Sequence, residues 1–174
     1  MEVSIVRKNK ISSDDYKIFT VETIDLEINS QRGTFYQVAA PDWVTIIAET
    51  DGLFIVESQY RIGTEEVTLE FPGGVIERDE DAVRAAVREL KEETGYSGRP
   101  HVIGTMRPNP AFMTNRCTTV FIEQAELTDA PSPDRFEDIT VDLMSLHDIE
   151  EAIADGRFPN ALHIAALYQW KARR

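Results

Sequence analysis

Residues 73–96 read GGVIERDEDAVRAAVRELKEETGY, a glycine turn followed by a charged segment and a second glycine. The segment predicts a helix from about Asp79 to Thr94, ending at Gly95, a residue type that favours the left-handed helix cap. At about 100° per residue, one face of this helix is an apolar core stripe: Val83, Ala86, Val87 and Leu90. A different face, offset by about a third of a turn, carries Glu89, Glu92 and Glu93.

The acidic face is unfavourable for an isolated helix. Like charges four residues apart, such as Glu89 and Glu93, repel each other, and anions near a helix C-terminus oppose the macrodipole. A bound hard cation such as Mg²⁺ or Mn²⁺ removes both penalties, and such cations prefer carboxylate oxygens. The alternative interpretation is a solvated charged face. A third row has the spacing of intrahelical ion pairs: Glu80, Arg84 and Arg88.

The spacing of the whole segment resembles the Nudix box, G-x5-E-x7-R-E-U-x-E-E-x-G-U. The matching positions are Gly74, Glu80, Arg88, Glu89, Leu90, Glu92, Glu93, Gly95 and Tyr96. Tyr96 is aromatic where an aliphatic residue is commonest. The resemblance implies an α/β fold, the Nudix α/β/α sandwich with a mixed sheet.

The resemblance also implies hydrolysis of a nucleoside diphosphate linked to another group, with Mg²⁺ or Mn²⁺ as cofactor. By this resemblance, Glu89 and Glu93 are the main metal ligands, and the backbone carbonyl of Gly73 is a further ligand. Glu92 binds metal or orients the attacking water. Arg88, together with Glu80, holds the carboxylates in place.

The region before the box is similar to that of ADP-ribose and other nucleoside diphosphate sugar pyrophosphatases. The similarity lies in Gln59-Tyr60-Arg61 and in the turn from Glu70 to Gly74. It implies that Arg61 contacts the diphosphate, which a guanidinium can bind bidentately. The structural alternative is a salt bridge from Arg61 to Glu70 or to a neighbour.

The segment Arg107–Arg116 has the composition of a substrate loop, and Pro110 matches a proline of the same subfamily. Its candidate substrate-binding residues are Phe112, Met113, Asn115 and Arg116. The segment lacks the glutamate that ADP-ribose pyrophosphatases often place there as catalytic base. The base is therefore Glu92 or a residue elsewhere, for which Glu137 is the best candidate; a plain surface turn is the alternative for Glu137.

Apolar runs and turn residues predict the remaining elements. Asp51-Gly52 is a strong hairpin signal between two central strands. The predicted strands are Val44–Ala48, Leu53–Val56, Val67–Phe71, His101–Met106, Thr118–Glu126 and Ile139–Leu143; the predicted helices are His147–Ala154 and Pro159–Lys171. Residues 1–39 predict a small antiparallel β subregion with a turn at Asn29–Gly33, and residues 40–174 form the main domain.

Composition narrows the range of partners. With 18 basic and 31 acidic residues among 174, the formal charge is −13, which disfavours nucleic acids and anionic membranes. Cys117 is the sole cysteine, so no internal disulfide is expected. No leader pattern and no stretch of ~20 apolar residues is found, so a cytoplasmic protein is expected.

The leading hypothesis is a nucleoside diphosphate sugar pyrophosphatase acting on ADP-ribose or a similar ADP-sugar. The alternatives are the same chemistry on a dinucleotide or capped RNA, and a non-catalytic sensor of a nucleotide sugar. In similar enzymes the N-terminal strands exchange between subunits, so the resemblance implies a homodimer.

Overall fold

The computed structural model describes residues 5–133 and 136–173. Within these residues the strands are β1 (Ile5–Asp15), β2 (Thr20–Ile28), β3 (Gln31–Ala39), β4 (Trp43–Thr50), β5 (Leu53–Arg61), β6 (Glu66–Glu70), β7 (Gly73–Val75), β8 (Tyr96–Met106), β9 (Cys117–Leu127) and β10 (Thr140–Met144). The helices are α1 (Ala82–Thr94), α2 (Leu146–Ala154) and α3 (Ala161–Lys171). None of the helices in the described residues is long and apolar enough to cross a membrane.

One unit of the fold consists of the chain up to Asp42 together with Arg107–Arg116. Its three-stranded antiparallel sheet has the order β1-β2-β3. Asn29 and Ser30 turn the chain between β2 and β3 with φ values of 50° and 64°. Gly33 lies within β3, so the turn is tighter than the predicted segment.

The second unit, residues 43–106 and the chain from Cys117, contains a seven-stranded sheet. Its order is β10-β5-β4-β9-β8, with β6 paired to β5 and β7 to β4. The predicted hairpin is confirmed: Asp51 and Gly52 have φ values of 48° and 79°, as a tight β-hairpin turn with two left-handed residues requires. Strand β4 pairs in parallel with β9 and antiparallel with β5, so the predicted mixed sheet is confirmed.

Apolar side chains of the second unit alternate between the two faces of its sheet. On β4, Ile46 packs in the cluster that holds α1, whereas Ile47 packs in the cluster that holds α2 and α3. On β5, Ile55 belongs to the α1 side and Val56 to the other. Helices therefore cover both faces of this sheet, and the predicted α/β/α layering is confirmed.

Helix α1 differs in detail from its prediction. It begins at Ala82 because the Asp81 carboxylate accepts hydrogen bonds from the N–H groups of Val83 (3.0 Å) and Arg84 (2.8 Å), which caps the N-terminus. It ends at Gly95, whose φ is 77°. The side chains it buries are Ala85, Ala86, Leu90, Glu93 and Thr94, so the core stripe is rotated from the predicted one, and Val83 and Val87 are only partly buried.

The predicted ion-pair row along α1 is wrong in one respect. Glu80 precedes the helix cap, so it is not a helical i,i+4 partner of Arg84. Arg84 instead pairs with Asp81 (Nε–Oδ2 3.3 Å), and Glu80 pairs with Arg88.

Candidate active site

Two glycines allow close packing here: Gly74 lets α1 approach β7, and Gly73 lets β7 approach β4. A Cβ atom added at Gly74 would overlap the Glu89 carboxylate, and one added at Gly73 would overlap the backbone oxygen of Val44 on the neighbouring strand β4. The close approach also brings the backbone N–H of Gly73 to Glu93, whose Oε2 accepts its hydrogen bond at 3.1 Å. The turn and the acidic end of α1 thus form one cluster.

Arg88 connects this cluster to the loop before the helix. Its Nε and Nη2 donate to the two carboxylate oxygens of Glu80 at 3.1 and 2.9 Å, and Nη2 also donates to the Val75 carbonyl at 3.2 Å. Its Nη1 lies 3.0 Å from Glu89 Oε1 and 3.1 Å from Glu92 Oε2. One guanidinium therefore binds three of the box glutamates.

Negative charge accumulates where Glu89 and Glu93 come together. Glu93 is 4% exposed, and burial together with the charge of Glu89 raises its pKa. Burial also raises the pKa of Glu89, against the opposing effect of Arg88. The charge of Glu137 raises the pKa of both residues further, so the fold brings this residue into electrostatic range of the cluster.

Glu57 belongs to the same cluster, and the sequence interpretation did not identify it. It lies on β5 directly opposite Glu70 on β6, and its side chain is 0% exposed. Burial, followed by the charges of Glu93 and Glu70, raises its pKa. A signal was available: Glu57 is a charged residue that continues the apolar run Leu53–Val56 of a buried strand.

Arg61 forms the predicted structural salt bridge. Its Nε lies 2.6 Å from Oε1 of Glu70, and Glu70 is fully buried. In this conformation the guanidinium neutralises a carboxylate of the adjacent strand.

His163 on α3 supports the same strand from its other side. Its Nδ1 accepts a hydrogen bond from the Phe71 N–H at 3.1 Å, and burial lowers its pKa to about 3. The ring is therefore neutral, and its 3.9 Å approach to Glu70 Oε2 is not an ion pair. His163 is a satisfied structural residue, whereas His101 and His147 are exposed.

The four loop candidates lie in the unit that holds the three-stranded sheet. The loop pairs with Val38 of β3: the Val38 N–H donates to the Phe112 carbonyl at 2.8 Å, and the Thr114 N–H donates to the Val38 carbonyl at 3.0 Å. Phe112 is exposed and Met113 is partly buried.

The last two loop candidates are tied to the chain just before β4. Asn115 is buried, and its Nδ2 donates to the Pro41 carbonyl at 3.0 Å, while its Oδ1 has no hydrogen-bond partner. The Arg116 N–H donates to Asp42 at 2.7 Å, and the Arg116 side chain is exposed.

The donors in the acidic cluster fit a hard divalent cation. They are carboxylate oxygens, the ligand type that Mg²⁺ and Mn²⁺ prefer. Burial in mutual proximity raises the pKa values of Glu89 and Glu93, so their ionised forms are costly unless a cation balances them. Across residues 5–133 and 136–173, no group of three or more Asp, Glu, His or Cys side chains is arranged so that it could hold a metal ion. Glu89 and Glu92 turn towards Arg88 instead.

Comparisons with known proteins agree with this fold. The model of the NUDIX domain matches residues 39–167. The ADP compounds hydrolase NudE of Escherichia coli is 27% identical over 158 residues, 87% of this chain and 83% of that protein. The ADP-ribose pyrophosphatase of Saccharomyces cerevisiae is 38% identical over 86 residues, 46% of this chain and 36% of that protein. A crystal structure of an ADP compounds hydrolase matches with a TM-score of 0.83 and 24% identity, covering 99% of this chain and 94% of that one.

Proposed function

Because this chain belongs to the Nudix family of hydrolases, we propose that it splits the diphosphate bond of a nucleoside diphosphate sugar with the help of Mg²⁺ or Mn²⁺. ADP-ribose and other ADP-sugars are the substrates to test first, since similar proteins act on ADP compounds and ADP-ribose. The observation that carries the proposal is the carboxylate cluster beside the glycine turn. Glu93 accepts a hydrogen bond from the Gly73 N–H, and Arg88 forms ion pairs with Glu80 and Glu89.

In the proposed reaction, water adds to one phosphorus and the bridging oxygen leaves with the other phosphate. The products are a nucleoside monophosphate and a sugar phosphate. The residues that hold the cation are Glu89, Glu93, Glu92 and the Gly73 carbonyl. A bound divalent cation neutralises the charge that develops on the phosphates and lowers the pKa of the attacking water.

Arg88 is a positioning residue in this proposal. Its hydrogen bonds restrict the rotamers of Glu89 and Glu92, so that the carboxylates stay near the diphosphate when charge changes during the reaction.

Either Glu92 or Glu137 takes the proton from the attacking water. Glu92 is 47% exposed and is held by Arg88 at 3.1 Å, which supports a fixed orientation. The effect of Glu137 on the pKa of Glu89 and Glu93 supports its action at the same cluster. The Glu92→Gln and Glu137→Gln variants distinguish them, because loss of the base removes the acidic limb of the kcat–pH profile.

Substrate selection is proposed for Arg61 and the Arg107–Arg116 loop. When substrate binds, Arg61 gives up its salt bridge to Glu70 and binds the diphosphate instead. Its guanidinium is half-exposed and can bind phosphate oxygens bidentately. The exposed ring of Phe112 provides a stacking surface, and Met113 an adaptable apolar contact. The exposed Arg116 supplies a polar contact, and the buried Asn115 contributes to binding by holding the loop through its hydrogen bond to the Pro41 carbonyl.

The three-stranded sheet is proposed to mediate a homodimer. Large apolar side chains are exposed on it, among them Ile11, Phe35 and Tyr36. Large apolar side chains exposed to water favour association when a second chain covers them. A molar mass from light scattering equal to that of one chain would contradict the dimer.

The proposed location is the cytoplasm.

One experiment tests the activity. The purified chain is incubated with ADP-ribose, other nucleoside diphosphate sugars, dinucleoside polyphosphates and capped RNA, with Mg²⁺ or with a chelator, and the products are identified by mass. Metal-dependent release of a nucleoside monophosphate and a sugar phosphate is the expected result. Failure to cleave any sugar nucleotide, or undiminished cleavage with chelator, would overturn the proposal.

A further inference from the structure

Glu57 is a buried charged residue to which the family pattern gives no role. It follows Leu53–Val56 on β5, and the alternation along the strand places it on the same side as Ile55, the side covered by α1. Its neighbour across the strand pair is Glu70, and the charge that acts on it most strongly is that of Glu93.

Neither carboxylate oxygen of Glu57 has a hydrogen-bond partner in the described chain. A buried carboxylate without hydrogen bonds or a counter-charge is strongly destabilising, so such groups are normally paired or coordinate a metal ion. The charge of Arg61 acts on Glu57, but the Arg61 guanidinium donates its hydrogen bond to Glu70 and leaves the Glu57 oxygens without a donor. The fold therefore retains a costly group that its own side chains do not satisfy.

The charge balance indicates what does satisfy it. Arg61 neutralises Glu70, which leaves Glu57 and Glu93 as two buried carboxylates of the α1 side. One divalent cation supplies the two positive charges that balance this pair. Oxygen donors from neighbouring elements are also the ligand set that such a cation prefers.

We propose that Glu57 is an additional carboxylate donor of the divalent-cation site, contributed by β5 alongside Glu93 of α1. The inference rests on the proposed function, because it assigns a further residue to the same site. It implies that the cation connects the central sheet directly to the box helix. Binding the cation therefore stabilises the fold as well as preparing the reaction.

A shared proton is the competing explanation for the Glu57–Glu93 pair. A protonated Glu57 carries no charge that has to be balanced and needs no metal. Glutamine has the shape and hydrogen-bonding groups of the neutral acid, so Glu57→Gln separates the two explanations. The variant should bind the cation as the wild type does if Glu57 is normally protonated, and more weakly if Glu57 binds the cation as a carboxylate.

The experiment is a titration of the full-length chain with Mn²⁺, in which free Mn²⁺ is followed by electron paramagnetic resonance without any substrate. The variants are Glu57→Gln and the matched control Glu126→Gln, which changes an exposed glutamate of β9. The Mn²⁺ dissociation constant is expected to rise at least ~10-fold for Glu57→Gln and to stay unchanged for the control. The Mn²⁺-induced increase in melting temperature is expected to shrink in parallel.

The outcomes separate the two proposals. Wild-type stoichiometry and affinity in Glu57→Gln would overturn the role of Glu57 and leave the proposed function intact. Absence of Mn²⁺ binding by the wild-type chain would overturn both. Should Glu57→Gln fail to fold, Glu57→Met takes its place in the same titration, because methionine has a similar volume and matches the apolar strand.

Discussion

Replacing Arg88 by lysine keeps the positive charge of the cluster but removes the planar fork that organises it. The guanidinium donates to both oxygens of Glu80 and to the Val75 carbonyl, and it also lies against Glu89 and Glu92. A lysine ammonium has three donors on one nitrogen and cannot reach these acceptors together. We expect Glu89 and Glu92 to lose their fixed orientation in Arg88→Lys.

The size of the effect follows from these contacts. Arg88 is 26% exposed, so its ion pairs are partly shielded from solvent. Loss of a residue that orients ligands typically reduces activity or metal affinity about 10–100-fold. We therefore expect kcat/KM to fall by that factor, equivalent to about 1.4–2.7 kcal/mol of transition-state stabilisation. The free energy of unfolding should fall by about 1–2 kcal/mol.

The assay is steady-state hydrolysis of ADP-ribose at saturating Mg²⁺, together with urea unfolding of the same preparations. Arg84→Lys is the matched control, because Arg84 lies one turn earlier on α1 and pairs with the exposed Asp81. Wild-type kcat/KM in Arg88→Lys, or an equal loss in Arg84→Lys, would refute the assignment of Arg88 as the organiser of the carboxylates.

Three further predictions concern the same region. Glu93→Gln should lower kcat at least ~100-fold while leaving the circular dichroism spectrum unchanged, and near-normal turnover would contradict its role as a metal ligand. Gly74→Ala should reduce kcat/KM by about 10-fold or more, because the new methyl group displaces the Glu89 carboxylate; a variant of full activity would show that Glu89 tolerates the shift. His163 is buried and neutral, and its pKa is lowered to about 3 from an ordinary 6.5. Below pH 6.5 the unfolded chain therefore binds more protons than the folded chain. The free energy of unfolding is therefore unaffected by this residue above pH 6.5 and falls below that pH, by about 3 kcal/mol at pH 4.5. Urea unfolding at pH 7 and 4.5 should show a smaller loss of stability in His163→Gln than in the wild type. Equal losses in the two proteins would contradict the prediction.

Local sequence patterns predicted the β4–β5 hairpin and helix α1, two elements that carry residues of the candidate site. Asp51 and Gly52 favour left-handed backbone angles through their own chemistry, and Gly95 does so at the end of α1. The spacing of Arg88 from Glu80 and Glu92 depends on positions within one short segment. For this reason the sequence alone was sufficient to recognise the box, and the resemblance then implied the organising role of the arginine.

Other features depend on strand register and on distant contacts. The register of β5 against β6 sets Glu57 opposite Glu70 and Arg61 opposite Glu66, so the salt bridge from Arg61 to Glu70 also depends on the path of the Arg61 side chain. Burial of Glu57 follows from α1 covering that face of the sheet. The attachment of the Arg107–Arg116 loop to Val38 joins segments about 75 residues apart in the chain. No local propensity encodes such pairings.

The parallel pairing of β4 with β9 also determines the order in which the protein acquires its structure. Trp43 aligns with Cys117 and Ala48 with Ile122, so the middle of the sheet closes only after the whole box segment has been synthesised. Because the β4–β5 hairpin has a short loop, we expect it to form early, and we expect closure of the long β4–β9 connection to be the slow, entropically costly step. Until β9 docks, one edge of β4 remains open to pairing with other chains. On the ribosome, the nascent chain therefore carries this vulnerable edge until most of its length has emerged.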